Sequence, residues 1–510
     1  MCIRCGRRCI QWMAVGLQWR QPHTGRPRMT ELWRMGALEI AAAIRAGETT
    51  SRAVLDALRA RIEEVNGHLN AVVGLDENAT AAADAADRAV AAGEPVGPLH
   101  GVPVTIKECI DVAGCATTHG AAALSQALAP RDAPLVERLR AAGAIPFART
   151  NMPDFGARGH TDSSLHGRTH NPWDPAVTAG GSSGGEASAI ASGMSPLGVG
   201  NDVGGSVRDP ANRCGIAAIK ASTGVVPHAS SVPPEEALIT YQLMLGQGVL
   251  ARRVADVRAA LLAVAGPHPR DPLALPVTLT APDPDARLRV AVAAEPAGCD
   301  VDPAIAAAVR AAADRLAAAG HIVEEAAPTG YERILDIWSA LVMNDFRVLL
   351  PALEGVLAGG SKAYLTYAQE LVPPLNSATV TALYLERHAT ELRWHRFLSD
   401  WDVLLTPTGA TPPPDHDADI ASLDGLRGAL DLLRPMLPAN LMGLPAAVVP
   451  CGMAYGLPVG AQFTARRFGD LTALAAAQAV EDACGVLTPI DPVVPPAGDG
   501  PAGAPLSAAG

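Results

Sequence analysis

Residues 178–212 read Thr178-Ala179-Gly180-Gly181-Ser182-Ser183-Gly184-Gly185-Glu186-Ala187, then a run of small residues. They continue as Gly198-Val199-Gly200-Asn201-Asp202-Val203-Gly204-Gly205-Ser206-Val207-Arg208-Asp209-Pro210-Ala211-Asn212. Two Gly-Gly-Ser turns, at Ser182 and Ser206, punctuate the stretch. Glycine before a serine lets the backbone come close to a ligand and take conformations closed to other residues, so several main-chain N–H groups can converge on one point. An oxyanion-binding loop needs such convergence. Taken alone, a Gly/Ser run such as Gly180–Gly185 is more often a turn or linker. A dinucleotide-binding loop is excluded, because Gly198, Gly200 and Gly204 miss the Gly-x-Gly-x-x-Gly spacing by one residue. Gly181-Ser182-Ser183-Gly184-Gly185 matches a nucleophile elbow in letters, but that turn must follow a strand directly, and Asn171-Pro172-Trp173-Asp174-Pro175 is loop sequence.

Outward from this stretch, apolar strands alternate with helices. Leu55, Leu58, Ile62 and Val65 recur at helical spacing, and Asp132-Ala133-Pro134 caps a helix that ends at Gly143. Val102–Ile106, Ala144–Phe147, Arg289–Ala293, Asp402–Thr406 and Ala446–Val449 read as buried strands. Alternation of this kind implies an α/β layered fold, and the length suits either one large domain or two to three ordinary ones. The charge-free run from Pro435 to Ala465 is broken by prolines and glycines into strands and turns, so no membrane span is expected.

The chain has 510 residues, 49% of them hydrophobic and 18% charged, and its mean hydropathy is +0.17, which excludes a disordered protein. A formal charge of −12 and only 4% aromatic residues argue against nucleic acid as a partner. Nine cysteines with no regular framework suit a reduced, cytoplasmic compartment. The Cys2, Cys5, Cys9 cluster lacks a second ligand pair at zinc-finger spacing. Residues 1–28 carry six arginines and no acid, and are expected to be an unstructured extension, with Met29 as an alternative start. Ile10–Trp19 faintly mimics a secretory segment but no small-residue cleavage site follows. Residues 489–510, rich in Pro, Gly and Ala, read as a flexible tail, which leaves 29–488 as the folded domain. The cations are 37 arginines and only three lysines, Lys107, Lys220 and Lys362. A buried lysine can lose its proton and act as a base, which arginine cannot, so each of the three is a candidate.

Taken together, these motifs resemble the amidase signature family. The resemblance rests on Gly180–Gly185, on Asp202-Val203-Gly204-Gly205-Ser206-Val207-Arg208 with Pro210-Ala211, on Leu99–Glu108 and on Thr150-Asn151-Met152-Pro153. It continues through Asp402–Thr408, Asn440–Pro445 and Gly456–Gln462. It implies a single large α/β domain with a mixed central β-sheet covered by helices on both faces. By the same resemblance Ser206 is the nucleophile, Ser182 a bridging serine on a cis peptide, and Lys107 the base. The backbone amides of Val203, Gly204, Gly205 and Ser206 would form the oxyanion hole. Asp202 and Arg208 would brace the catalytic loop, or form an ordinary structural ion pair, and Ser183 would hydrogen-bond the loop rather than react. Lys220 is taken as structural, Lys362 as solvated, and the histidines as structural or exposed. No metal or cofactor is implied. The expected activity is hydrolysis of a small aryl or aliphatic carboxamide to the acid and ammonia or an amine through an acyl-serine; the alternative is the glutaminase (A-type) subunit of a tRNA-dependent amidotransferase. The pocket would be lined from 120–170 and 330–440, and the low charge fraction permits a homodimer interface. Asn201 stands where many relatives carry Thr or Ser, so hydrogen bonding beside the oxyanion hole is expected to differ; Ala148-Arg149 also replaces Gly-Lys, and Ala221 replaces Pro.

Overall fold

Strands rich in Val, Ile, Leu and Ala assemble into one mixed sheet. The computed structural model describes residues 29–231, 235–494 and 507–509, so the cysteine cluster and the Ile10–Trp19 segment lie outside the described residues. From edge to edge the strands are Ile322–Glu325, Arg289–Val292, Val403–Pro407, Leu457–Ala465, Ala446–Ala454, Ala217–Lys220, Gly246–Ala251, Leu197–Asp202, Pro103–Lys107, Ile145–Thr150, Val72–Asp76 and Ser507–Ala509. The four strands from Leu457–Ala465 to Gly246–Ala251 pair antiparallel, whereas Leu197–Asp202, Pro103–Lys107 and Ile145–Thr150 run parallel to one another.

The period-two alternation of strand side chains divides the interior into cores on the two faces of the sheet. Ala217, Ile219, Val249, Ala251, Ala447, Val449, Val403 and Leu405 belong to one core, together with Leu55, Leu58 and Ile62 of the helix Ser51–Leu69. Their immediate neighbours Ala218, Leu250 and Val448 face the other way, onto the helices Gly184–Ala191 and Arg208–Cys214. Leu404 and Ala291 also lie in a separate core, with Ile334, Ile337 and Leu341 of the helix Ile334–Leu353. Helices thus cover both faces, as buried parallel strands require. Gly184–Ala191 is buried at every residue, and its small side chains let it sink between layers.

Local chemistry explains most boundaries. Thr50 caps Ser51–Leu69 by accepting from the Ala53 amide, and Asn70 ends it in the left-handed region at φ 48°. The helix expected after Asp132 spans Pro134–Ala141 with proline in its first turn, but Asp132 does not cap it; its carboxylate accepts from the Ala113 amide and from Arg140. Ala446–Ala454 runs well past Val449, because a register shift between Pro450 and Gly452 absorbs the proline and a two-residue turn at Tyr455 and Gly456, both at positive φ, returns the chain as Leu457–Ala465. Beyond residue 488 contacts continue: the Ile490 amide donates to Ala191 O and the Val493 amide to Pro172 O. Among the described residues no helix is long and apolar enough to cross a membrane.

Candidate active site

Two parallel strands, Pro103–Lys107 and Leu197–Asp202, pair at Thr105–Gly198 and Ile106–Val199, so Lys107 and Asn201-Asp202 emerge side by side at their carboxyl ends. Ligands of open α/β sheets bind outside such ends. Thr105 hydrogen-bonds Glu186 on the helix Gly184–Ala191, and Lys107, two residues on, faces the same side. There it meets the loop that opens this helix. Its Nζ lies 2.7 Å from Ser182 Oγ and donates to Asn201 Oδ1 at 3.1 Å. The Gly181–Ser182 peptide is cis.

Lys107 is fully buried. Burial pushes its pKa down from the ordinary lysine value, against smaller upward contributions from Cys109, Asp202 and Glu186. A neutral amine has a lone pair to offer the Ser182 hydroxyl while its N–H groups donate to Asn201.

Ser206 follows Gly205, whose φ of 108° is accessible to glycine alone, and precedes the helix Arg208–Cys214. Its carbonyl accepts from the Ser183 amide at 3.1 Å, which ties the two Gly-Gly-Ser turns together. The expected role of Ser183 is therefore carried by its backbone; its hydroxyl is buried without a partner among the described residues. Asp202 holds the loop between them. Its carboxylate accepts from the amides of Gly205 (2.8 Å) and Val207 (3.2 Å) and from both Nε and Nη2 of Arg208 (3.0 and 2.9 Å). Burial alone would raise its pKa, but the Arg208 guanidinium outweighs that and holds the group well below the usual carboxylate range. Arg208 also donates to Met436 O, Gln462 Oε1 and Asn440 Oδ1, so the ion pair is the hub of the loop rather than an isolated contact. One amide of the expected oxyanion hole is engaged within the loop itself: the Gly205 N–H donates to Asp202 Oδ1.

Lys220, also fully buried, donates to Ala221 O and Leu444 O, away from both serines, and burial lowers its pKa to about 7. Lys362 is exposed near the start of the helix Gly359–Leu371. His160, His170 and His416 pack together, and His166 pairs with Glu108.

Ser182 and Ser206 open onto one cavity of about 310 Å³. Its wall is mostly apolar, with Met152, Phe155, Tyr241, Leu245, Phe346 and Leu353, and its polar groups include Cys109, Asn201, His119 and His228. Two of the segments expected to line it contribute, 124–156 and 346–356; residues 228–245 contribute as well and 357–440 do not. Two of the histidines expected to be structural or exposed, His119 and His228, line the cavity. Sequence reasoning also missed Glu186, whose carboxyl burial raises to a pKa of about 7 while it accepts from Thr105 and Thr150. It missed Trp338 too, whose Nε1 donates to Val203 O. Trp338 carries no local motif, because it meets the loop only through the packing of the helix Ile334–Leu353, and the partners of Glu186 follow from the register of the sheet.

Comparison with known proteins agrees with this geometry. A family model described as Amidase matches residues 53–474. The chain is 39% identical to an indoleacetamide hydrolase of Bradyrhizobium diazoefficiens over 89% of this chain and 88% of the relative. It is 34% identical to an acylamidase of Rhodococcus erythropolis, over 88% and 95%. The solved structure of a bacterial aryl acylamidase of the amidase signature enzymes superposes with a TM-score of 0.76 at 28% identity, covering 88% of this chain and 96% of that one. With the two serine turns, the parallel-strand lysine and this extent of likeness, the chain belongs to the amidase family and is an enzyme that acts on amide C–N bonds.

Proposed function

We propose that Ser206 attacks the carbonyl of a small ring-bearing primary amide of the arylacetamide type, with Lys107 as base acting through Ser182. The observation that carries this reading is the buried Lys107 amine at 2.7 Å from Ser182 Oγ, beside an apolar cavity that also exposes Ser206. Ser206 Oγ bonds to the carbonyl carbon as its proton passes to Ser182 Oγ, whose own proton goes to Lys107. The oxygen that becomes negative lies among the amides of Val203, Gly204 and Ser206, each such donor being worth about 3–4 kcal/mol of barrier. Reversal of the relay protonates the departing nitrogen, ammonia leaves, and water then hydrolyses the acyl-serine by the same path.

The cavity supports the choice of acyl group. Its volume sits at the small end of ligand pockets, which run from about 300 to 1,000 Å³, and its apolar wall suits a flat ring. The likeness to an indoleacetamide hydrolase points the same way. Glutamine, the substrate of the amidotransferase alternative, carries a carboxylate, and the described lining residues include no arginine or lysine to receive it. The free cysteines among the described residues accord with a cytoplasmic enzyme.

The test is the intact mass after treatment with a fluorophosphonate, followed by ammonia release from an amide panel. A single adduct that is lost in Ser206→Ala, with turnover of indole-3-acetamide or phenylacetamide, is the expected result. Turnover of glutamine only in the presence of partner subunits would overturn the substrate assignment.

A further inference from the structure

His119 and Phe155 face the same cavity as Ser206, and both adopt left-handed backbone at φ 49° and 54°. Such conformations are uncommon for non-glycine residues and unusual for a bulky one; they persist where the surroundings enforce them, often at ligand sites. The Phe155 amide donates to His119 O at 2.8 Å, and the two rings stack with centroids 5.6 Å apart and planes 20° from parallel. Together they form a rigid aromatic wall.

Its polar edge is unsatisfied. The His119 ring makes no hydrogen bond among the described residues, and its Nε2 is buried. Two other polar groups of the wall are occupied: His228 Nδ1 accepts from Gln247 Nε2 at 2.9 Å, and Cys109 Sγ accepts from Asn201 Nδ2 at 3.1 Å. A buried polar atom without a partner is costly, and a ligand group that supplies one removes that cost. Burial brings the His119 pKa down to about 4, so the imidazole is neutral at pH 7 and keeps one acceptor nitrogen. Asp111 and Glu108, the acids that act on it, outweigh the nearby amine of Lys107, whose own pKa burial lowers. His228, the other neighbour, also has its pKa pushed down by burial. The local field therefore favours a hydrogen-bond donor over an acceptor on the ligand.

We propose that His119 and Phe155 are the specificity site for the acyl group: Phe155 and the imidazole pack on its ring, and His119 accepts a hydrogen bond from an N–H or O–H on that ring. The site selects acetamides whose ring carries an N–H or O–H over their carbocyclic or oxygen-ring counterparts. This rests on the arylacetamide reading of the cavity.

The experiment compares kcat/KM for indole-3-acetamide, benzofuran-3-acetamide and phenylacetamide in the wild type, in His119→Phe and in His119→Asn, which tolerates the left-handed backbone. The wild type is expected to prefer the indole over the benzofuran roughly ten-fold, and both variants to bring that ratio within about two-fold, whatever loss of ring packing all three substrates share. Phe155→Leu should raise KM for all three rings alike. Survival of the indole preference in both variants, an equal fall for all three substrates, or no preference in the wild type would overturn the assignment of His119. In the last case, turnover of both rings still leaves the arylacetamide reading standing. A chain whose Ser206 is labelled by fluorophosphonate but which hydrolyses none of the three would sink that reading, and this one with it.

Discussion

Asn201 is the residue that orients the proposed base, Lys107. Its Oδ1 accepts from Lys107 and its Nδ2 donates to Cys109 Sγ, so the amide is held in one orientation and turns the amine toward Ser182. Because burial lowers the Lys107 pKa, and the proposed relay needs a neutral amine, kcat/KM should rise with pH along an acid limb that lies below the ordinary lysine value of 10.5. Asn201→Asp would put a carboxylate about 3 Å from that amine and favour the ammonium. The acid limb should then move to higher pH by about one to two pH units, lowering activity at pH 7 roughly ten- to hundred-fold with recovery at alkaline pH. Lys107→Met should instead lose about 10²- to 10⁴-fold at every pH. An Asn201→Asp profile that falls without shifting would mean that Asn201 does not contact the base in solution. Lys107 was legible because only three lysines occur and this one sits in a recognisable run, and Asn201 stood out as a departure. The contact between them was not legible, since it depends on which strand lies beside which. His119 and His228 were hidden for the same reason: the cavity draws its wall from segments more than a hundred residues apart in the chain.

Among the elements, the strand Leu197–Asp202 and the helix Gly184–Ala191 are fitted to each other by glycine. Leu197 and Val199 enter one core, while Gly198 and Gly200 face the helix, where a Cβ at Gly198 would fall on Glu186 Oε1 and one at Gly200 would lie 2.7 Å from Ser183 Oγ. That close approach lets Glu186 reach Thr105 and Thr150 on two neighbouring strands and sets the height of the Ser182 loop. Gly198→Ala should destabilise the protein by about 2–3 kcal/mol through overpacking, read as a lower denaturant midpoint with the slope unchanged. Adding Glu186→Ala to Gly198→Ala should recover part of the loss, because the obstructing carboxyl is gone; strictly additive effects would show that the two residues do not meet. The same glycines explain why this strand escaped sequence reading. Gly-x-Gly is depleted in strands and reads as loop, whereas here it marks where another backbone element approaches. The strands 289–292 and 403–407, with ordinary β-branched and leucine patterns, were legible to within a residue.

For the molecule as a whole, compositional boundaries and physical boundaries differ at the C-terminal end. Composition changes at Pro489, where Pro, Gly and Ala begin to dominate, yet Arg61, with its side chain only 1% exposed, donates to Ile490 O at 3.2 Å and to Asp491 at 2.7 Å. The same guanidinium donates to Ser192 O and lies 4.0 Å from the centre of the Trp33 ring. Residues 490–493 therefore join the first helical segment, the helix Ser51–Leu69 and the end of Gly184–Ala191, whose beginning carries the serine loop. Backbone amides and carbonyls make most of these contacts, and no side-chain pattern announces them. Two truncations separate the boundaries. Ending the chain after residue 494 removes the three-residue edge strand Ser507–Ala509 and should leave Tm nearly unchanged. Ending it after 488 leaves a buried guanidinium short of two partners and the Ala191 carbonyl short of one, at a cost of about 1–3 kcal/mol, and should lower Tm by roughly 2–5 °C. Arg61→Ala in the full chain should reproduce much of that shift, and combining it with the 488 truncation should add little, because both remove the same contacts. Equal Tm values for the two truncations would place the physical end of the domain at 488, where composition puts it.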